Sequence, residues 1–291
     1  MSIFIRDVGF PEAPVRLPDG DFLFVEMSPD RGWTIRVSAD GSKRTVLAKT
    51  GRPNGLAMDR NGFVWVAETA KRAVLRMSLD GKFEVFANQC QGEPFLFLND
   101  LAFAPNGDLY VTDSGILLDE VAPGGELAPN YRSLKYDGRV YRIDVKSGSV
   151  EFVDRGMQFT NGIAFNPEGD LFIAETLSGN IYRYACRNGR VAGRRELHGN
   201  VIEHFNPAEL KGPDGMKFGK DGKLYAAVFG QGNITVLGRK GEVVQRIPTE
   251  GACPTNLVFA GPGQKKIYVT EVVTSTVQVF DVESEGLPLH G

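Results

Sequence analysis

The sequence predicts an all-β protein, a six-bladed β-propeller with four antiparallel strands in each blade. A unit that starts with Asn, Asp or Glu, runs through an apolar stretch and a Gly-containing turn, and ends in a second apolar stretch occurs six times. The first residues of these units, called the head residues here, are Glu12, Asn54, Asn99, Asn161, Asp214 and Asn256. Successive heads are 42, 45, 62, 53 and 42 residues apart, and passage through the chain ends adds 47. Repeats of about 40–50 residues with several strands each are typical of propellers. We therefore expect a ring that closes between the N- and C-terminal segments.

Each unit predicts a hairpin followed by further strands. In the third unit, the two apolar runs flank Asn106-Gly107, a dipeptide that favours tight turns because glycine tolerates positive φ. Other strand-like runs, such as Thr34–Val37 and Ala73–Met77, also end near Asp-Gly turns. The units therefore predict four short strands each.

The second strand of most hairpins ends in an acid. Glu26, Glu68, Asp113 and Glu175 each stand 14 residues after their head, and the sixth unit has Glu271 one residue further on. This spacing predicts that head and acid face each other across the hairpin. The acids could orient the heads or form ion pairs between blades, and we favour the ion pairs.

Composition is consistent with one large β-structure. The 291 residues are 42% hydrophobic and include 35 glycines, and no linker-like stretch interrupts the repeat, so we expect a single domain over residues 1–291. The net charge of −3 provides no basic surface for nucleic acid. No leader-like or membrane-spanning apolar run is present, which predicts a cytoplasmic protein without a membrane partner.

The head residues suggest a metal site. Six copies of one hairpin place six oxygen-bearing side chains at equivalent positions, and neither His nor Cys is among them. Carboxylate and amide oxygens suit a hard divalent cation, with Ca²⁺ first and Mg²⁺, Mn²⁺, Zn²⁺ or Fe²⁺ as further candidates. The alternative is that Asn and Asp head the units because they form turns well, although this explains Glu12 poorly.

Four segments resemble the regucalcin/gluconolactonase (senescence marker protein) family of six-bladed propellers, and the resemblance covers nearly the whole chain. The segments are Glu12-Ala-Pro, Leu98-Asn99-Asp100-Leu, Thr160-Asn161-Gly162-Ile-Ala and Pro213-Asp214-Gly215-Met. The resemblance implies one divalent cation held by Glu12, Asn99, Asn161 and Asp214, and hydrolysis of a small-molecule lactone. It also implies that Asp214 is the catalytic base or nucleophile. The cation would polarise the lactone carbonyl while Asp214 accepts a proton from water.

One departure from the family concerns substrate choice. Regucalcin-type members carry Arg two residues before the first Asn ligand, where this chain has Phe97. An aromatic ring there favours a less polar lactone, unless Phe97 packs within the blades. The longest repeat contains a predicted lid over residues 114–133, with Tyr131 as a candidate pocket residue. Asn54 and Asn256 complete the ring of heads and are candidate substrate-binding residues.

Two other interpretations remain open. The chain also resembles calcium-dependent phosphotriesterases of the diisopropyl-fluorophosphatase type in Asn161-Gly-Ile-Ala and Asp214-Gly-Met, but it lacks that type's His within residues 254–258. A propeller can also serve as a non-enzymatic binding scaffold. The sequence leaves the oligomeric state undetermined.

Overall fold

Six four-stranded antiparallel sheets form a closed ring around a central channel in the computed structural model, which describes residues 1–288. The predicted six-bladed propeller is confirmed. In chain order the strands of the first half are β1 (Ser2–Arg6), β2 (Pro11–Arg16), β3 (Phe22–Glu26), β4 (Trp33–Val37), β5 (Arg44–Lys49), β6 (Pro53–Met58), β7 (Val64–Glu68), β8 (Ala73–Met77), β9 (Phe83–Ala87), β10 (Gln89–Cys90), β11 (Glu93–Pro94), β12 (Leu98–Phe103), β13 (Leu109–Asp113) and β14 (Gly138–Ile143).

The second half continues the pattern. Its strands are β15 (Val150–Met157), β16 (Thr160–Phe165), β17 (Leu171–Glu175), β18 (Asn180–Tyr184), β19 (Cys186–Arg187), β20 (Arg190–Val191), β21 (Glu196–Asn200), β22 (Gly212–Phe218), β23 (Leu224–Phe229), β24 (Asn233–Leu237), β25 (Val243–Pro248), β26 (Pro254–Phe259), β27 (Lys266–Glu271) and β28 (Thr276–Asp281). The innermost strands, which surround the channel, are β2, β6, β12, β16, β22 and β26. The pairs β10–β11 and β19–β20 are small ribbons outside the six blades.

The first strand closes the ring, as the sequence predicts. Strand β1 pairs antiparallel with β28 as the outermost strand of the last blade, with Ile5 opposite Val277. At the channel, the Thr255 hydroxyl donates a hydrogen bond to the Pro11 carbonyl at 2.7 Å, which joins the innermost strands of the last and first blades. Both ends of the repeat are therefore fixed to each other.

The hydrophobic core lies between the blades rather than at one centre. Each of six clusters spans two neighbouring sheets; for example, Trp65 and Val74 of the second blade pack with Leu101 and Val111 of the third. Such layers bury apolar side chains on both faces of every sheet. Neighbouring blades are thereby held at fixed angles, which in turn fixes the ends of the innermost strands around the channel.

The predicted pairing of head and acid is wrong by one residue or more. Leu98, not Asn99, lies opposite Asp113, and Thr160, not Asn161, lies opposite Glu175. The register shifts immediately afterwards, between Leu98 and Leu101 in the first case. A β-bulge of this kind re-aims a side chain. Here it removes Asn99 and Asn161 from the paired positions of their hairpins, whereas Glu12 and Asn256 stay paired with Val25 and Thr270.

The segment 114–133 leaves the third blade at the end that carries the heads. It contains a short helix, α1 (Leu118–Val121), and 3₁₀ turns at Pro123–Gly125 and Tyr131–Ser133. Its apolar side chains form a separate cluster with Phe97 and Leu177. Within residues 1–288, no helix has the length and apolar character needed to cross a bilayer.

Candidate metal centre and active site

All six head residues are buried at one end of the innermost strands. None has more than 9% of its surface exposed. Five of them, Glu12, Asn54, Asn99, Asn161 and Asp214, line a cavity of about 220 Å³ at this mouth of the channel, together with residues of the segment 114–133. The structure thus brings the four predicted metal ligands to one cavity wall.

The heads lie inside strands, which contradicts the alternative that they only form turns. The glycines after Asn161 and Asp214 do not serve turns either. A Cβ atom on Gly162 would lie 2.1 Å from the Asp214 carbonyl oxygen, and one on Gly215 would lie 2.0 Å from the Asn256 Cγ. Glycine is required there because neighbouring innermost strands approach closely at the axis.

Two hydroxyl groups orient the amide side chains of the predicted ligands Asn99 and Asn161. Ser114 Oγ accepts a hydrogen bond from Asn99 Nδ2 at 3.1 Å and donates to the Thr160 carbonyl at 3.0 Å. In the next blade, Thr176 Oγ1 accepts from Asn161 Nδ2 at 3.2 Å and donates to the Pro213 carbonyl at 2.9 Å. These contacts occupy the amide nitrogens and tie each blade to the next.

This arrangement leaves the Asn161 Oδ1 acceptor without a partner. The atom is buried and makes no hydrogen bond within residues 1–288. Leaving a buried acceptor unpaired costs on the order of 1–3 kcal/mol, so native proteins rarely do so without a ligand or water nearby. A cation at the centre of the heads would satisfy it.

Burial disfavours the charged forms of both carboxylate heads. Burial, followed by the charge of Asp100, raises the pKa of Glu12 from 4.5 to about 8. Its Oε2 accepts hydrogen bonds from the Ala13 amide at 2.6 Å and from Asn256 Nδ2 at 2.9 Å. Burial and the nearby Glu12 charge raise the pKa of Asp214 well above its ordinary value. Two buried carboxylates with overlapping fields need a counter-charge, and a divalent cation would provide it.

Asp100 is a third buried carboxylate, which the sequence reasoning overlooked. It follows Asn99 on the innermost strand and is 3% exposed, and its Oδ2 has no hydrogen-bond partner within residues 1–288. Lys217 Nζ lies 3.9 Å from that oxygen. A sequence signal existed, because Asp100 occupies the position after the head where three other units have glycine.

The acids that end the second strands mainly bind backbone amides, so the favoured ion-pair interpretation is wrong for most of them. Asp113 accepts from the Leu96 and Phe97 amides at 2.8 and 3.0 Å. Glu68, Glu175 and Glu271 accept backbone N–H groups in the corresponding way. Glu26 differs, because it binds Arg31 and Arg44 as well as the Gly9 amide. These carboxylates hold the loops that lead into the innermost strands, and so they position the heads.

The walls of the cavity are strongly apolar. Phe97 is 6% exposed and packs edge-on against Phe159, with ring centroids 5.7 Å apart. Tyr131 lines the cavity, and its buried hydroxyl has no hydrogen-bond partner within residues 1–288. The other lining residues outside the heads are Phe10, Met27, Arg52, Leu118, Val121, Ala122, Gly125, Leu127, Tyr136, Thr176, Leu177, Leu210 and Phe229.

The remaining predicted residues occupy different environments. Asn54 lines the cavity, and its Nδ2 donates a long hydrogen bond of 3.5 Å to the Leu98 carbonyl. Asn256 does not line the cavity, since its amide group donates to Glu12 and accepts from the Leu257 amide at 2.8 Å. Asn256 thus contacts a predicted ligand.

No cluster of three or more His, Cys, Asp or Glu side chains placed to hold a metal ion occurs within residues 1–288. The predicted ligand set has a different composition, because two of its four members are amides. Its chemistry fits a hard cation that prefers neutral and anionic oxygen ligands.

Comparison with known proteins identifies the family. The family model described as the SMP-30/gluconolactonase/LRE-like region matches residues 10–273. The chain belongs to this family. The gluconolactonase of Zymomonas mobilis is 26% identical over 282 residues, covering 91% of this chain and 77% of the relative.

Solved structures share the fold of the family. A gluconolactonase from Xanthomonas campestris aligns with a TM-score of 0.79 at 21% identity, over 97% of this chain and 89% of the other. A regucalcin from Agrobacterium tumefaciens, described as a calcium-binding protein, aligns with a TM-score of 0.80 at 17% identity, over 99% and 96% of the two chains. At these identities the two structures support the propeller architecture alone.

Proposed function

We propose that this protein is a metal-dependent lactonase that opens the ring of a lactone with water. Family membership and the similarity to a gluconolactonase support the reaction class. The observation that carries metal dependence is the unpartnered Asn161 Oδ1 beside two buried carboxylates in one cavity.

Glu12, Asn99, Asn161 and Asp214 would hold one divalent cation. Their donor atoms are all oxygens, which favours Ca²⁺ and leaves Mg²⁺, Mn²⁺, Zn²⁺ and Fe²⁺ as alternatives. Bound there, the cation would act as a Lewis acid on the lactone carbonyl and lower the energy of the negative charge that develops on its oxygen.

Asp214 is our candidate for proton transfer. It lines the cavity and is shielded from solvent, so it can take a proton from the water molecule that attacks the carbonyl carbon. The ring C–O bond then breaks, and the same proton can pass to the alkoxide that leaves. Direct attack by the Asp214 carboxylate is the alternative role.

Hydrogen bonds from neighbouring residues hold three of the four candidate ligands in place. Asn256 fixes Glu12, and Ser114 and Thr176 fix the two amide ligands. Such contacts orient ligands and commonly change metal affinity about 10–100-fold when removed. We therefore assign Asn256 to positioning Glu12 and retain Asn54 as a candidate for substrate contact.

The apolar walls favour a lactone less polar than an aldonolactone. Phe97 and Phe159 pack against each other, and Leu118, Val121 and Tyr131 of the lid face the same cavity. Hydroxyl groups of a sugar would lose water there without gaining partners. The segment 114–133 would close over the substrate as a lid and exclude solvent.

The test is hydrolysis of aliphatic, aromatic and sugar lactones by metal-stripped protein, followed with a pH indicator. Ca²⁺, Mg²⁺, Mn²⁺, Zn²⁺ or Fe²⁺ is then added back. We expect metal-restored turnover of the less polar lactones. Cation binding without turnover of any lactone would contradict the proposed reaction and direct attention to phosphoesters.

A further inference from the structure

One positively charged side chain, that of Arg52, lies on the wall of the active-site cavity. The charged residues that line it are Glu12, Asp214 and Arg52. The two acids are the proposed metal ligands. Arg52 stands two residues before Asn54, just outside the innermost strand of the second blade. It therefore lies at the rim, about 7 Å along the chain from the ring of heads.

The guanidinium group of Arg52 has no partner among the described residues. Its Nε is buried without a hydrogen bond, and none of its side-chain nitrogens is hydrogen-bonded or within 4.0 Å of a carboxylate oxygen in residues 1–288. By contrast, the buried arginines Arg139 and Arg142 each contact two acids: Arg139 contacts Asp137 and Glu93, and Arg142 contacts Asp108 and Glu151.

The neighbouring acids do not compensate for this charge. Glu68 accepts the backbone N–H of Arg52 rather than a side-chain nitrogen. Asp119 of the lid is exposed and acts only through its field. Burial lowers the pKa of Arg52, with the Asp119 charge opposing that change. A half-buried cation without a partner is unfavourable, which argues that an anion binds beside it.

The backbone of Arg52 is held firmly. Its N–H binds the Glu68 carboxylate, and its carbonyl accepts a hydrogen bond from the Thr69 amide at 3.0 Å. The side chain therefore extends from a fixed point. A planar guanidinium on a fixed stem suits a bidentate carboxylate, which the apolar walls alone could not bind.

We propose that Arg52 binds a carboxylate of the substrate, so that the preferred substrate is a lactone with an apolar or aryl body and an anionic carboxylate group. This proposal rests on the proposed lactonase function and narrows its substrate class. The lactone ring would lie at the heads, the body against the aromatic walls, and the carboxylate at the rim. Arg52 is then a specificity-determining residue.

The experiment compares γ-phenyl-γ-butyrolactone with its para-carboxyphenyl derivative. We expect the wild type to favour the carboxylated lactone in kcat/KM. Arg52→Met, which keeps the apolar stem, should lower that preference about 10- to 100-fold, mainly through KM, because a charge-assisted hydrogen bond is lost. Arg52→Lys keeps the positive charge but lacks the planar guanidinium group. Its preference for the carboxylated lactone should lie between those of the wild type and Arg52→Met. Arg60→Met, on an exposed turn of the same blade, is the matched control.

A second measurement separates this proposal from the lactonase proposal. Terbium luminescence should show that Arg52→Met binds the metal at least as tightly as the wild type, because a nearby positive charge has been removed, and this confirms that the centre is folded. If the wild type hydrolyses neither these two lactones nor any of the aliphatic, aromatic and sugar lactones above, the lactonase proposal fails. Calorimetric binding of the carboxylated lactone then decides on Arg52: binding that Arg52→Met loses supports the proposal. An unchanged preference or affinity in Arg52→Met, or no binding to the wild type, overturns it.

Discussion

The two ends of the central channel differ in chemistry more than in shape. Both open into cavities with apolar walls, of about 220 Å³ at the heads and about 280 Å³ at the opposite mouth. The head end holds Glu12 and Asp214, both buried. The opposite end is lined by Arg16, Lys217 and Lys220, with Lys220 paired to Glu285 at 2.7 Å. Cavity size would favour the second mouth, whereas the buried oxygen donors favour the first as the proposed cation site.

The largest expected effect on activity comes from replacing a carboxylate at the head end of the channel. Asp214→Asn should lower kcat on lactones by about 10²–10⁴-fold, because the proton acceptor is lost. Lys220→Gln at the opposite mouth is the control and should leave kcat unchanged. Steady-state kinetics with saturating Ca²⁺ provides the measurement. Equal losses in the two variants would contradict the assignment of the active site to the head end.

Loss of one orienting hydroxyl should have the next largest effect. Thr176→Val leaves Asn161 Nδ2 and the Pro213 carbonyl without their shared partner. We expect metal affinity to fall about 10–100-fold in a calorimetric titration with Ca²⁺. Thr235→Val is the matched control, since Thr235 is equally buried but bonds to Asn233 and Arg246 away from the heads. If both variants lost affinity equally, general destabilisation would explain the result.

The lysine between the two mouths should have a smaller effect, of opposite sign. Lys217→Met removes the positive charge that lies 3.9 Å from Asp100, so the centre becomes more negative. We expect Ca²⁺ to bind about three- to tenfold more tightly, as a partly screened charge predicts. Weaker binding would show that Lys217 supports the site structurally rather than opposing the cation.

The smallest expected effect is the pH dependence of stability. The pKa of Glu12 is raised in the folded state from 4.5 to about 8, so the folded protein holds a proton that the unfolded chain releases. Protonated Glu12 therefore contributes to the free energy of unfolding. This contribution is complete below pH 4.5 and is lost as the pH rises through about 8. The Tm of metal-free protein should fall by a few degrees between pH 5 and 8.

The stabilisation of the protein by Ca²⁺ should also depend on pH. Because the cation needs ionised carboxylates, the increase in Tm on adding Ca²⁺ should be larger at pH 8 than at pH 5. Calorimetric scans with chelator and with Ca²⁺ provide the check. An increase that is independent of pH would argue for cation binding elsewhere on the surface.

The sequence predicted the architecture because the repeat is strong. Six heads at near-regular spacing determine the number of blades, and the apolar runs determine the interblade core. The register could not be predicted, because the bulge after Leu98 depends on how the innermost strands meet at the axis. The ion pairs assigned to the second-strand acids failed for a related reason: their true partners are backbone amides, which leave no trace in side-chain patterns.

Pairings across the ring were also beyond sequence reasoning. Asp100 and Lys217 lie on strands of the third and fifth blades and meet only in the channel. The unpaired guanidinium group of Arg52 is likewise visible only in the structure, because the sequence does not show which acids lie near it. The metal ligands, the lid, the cytoplasmic location and the single domain over residues 1–291 stay predictions, although the first two are consistent with the cavity described above.

The most direct test of the central claim is anomalous diffraction from crystals grown with Mn²⁺. We expect one strong peak on the channel axis, within about 2.0–2.6 Å of oxygen atoms from Glu12, Asn99, Asn161 and Asp214, a range for hard-cation ligands. A peak at the opposite mouth, or none at the head end, would contradict the proposed metal centre.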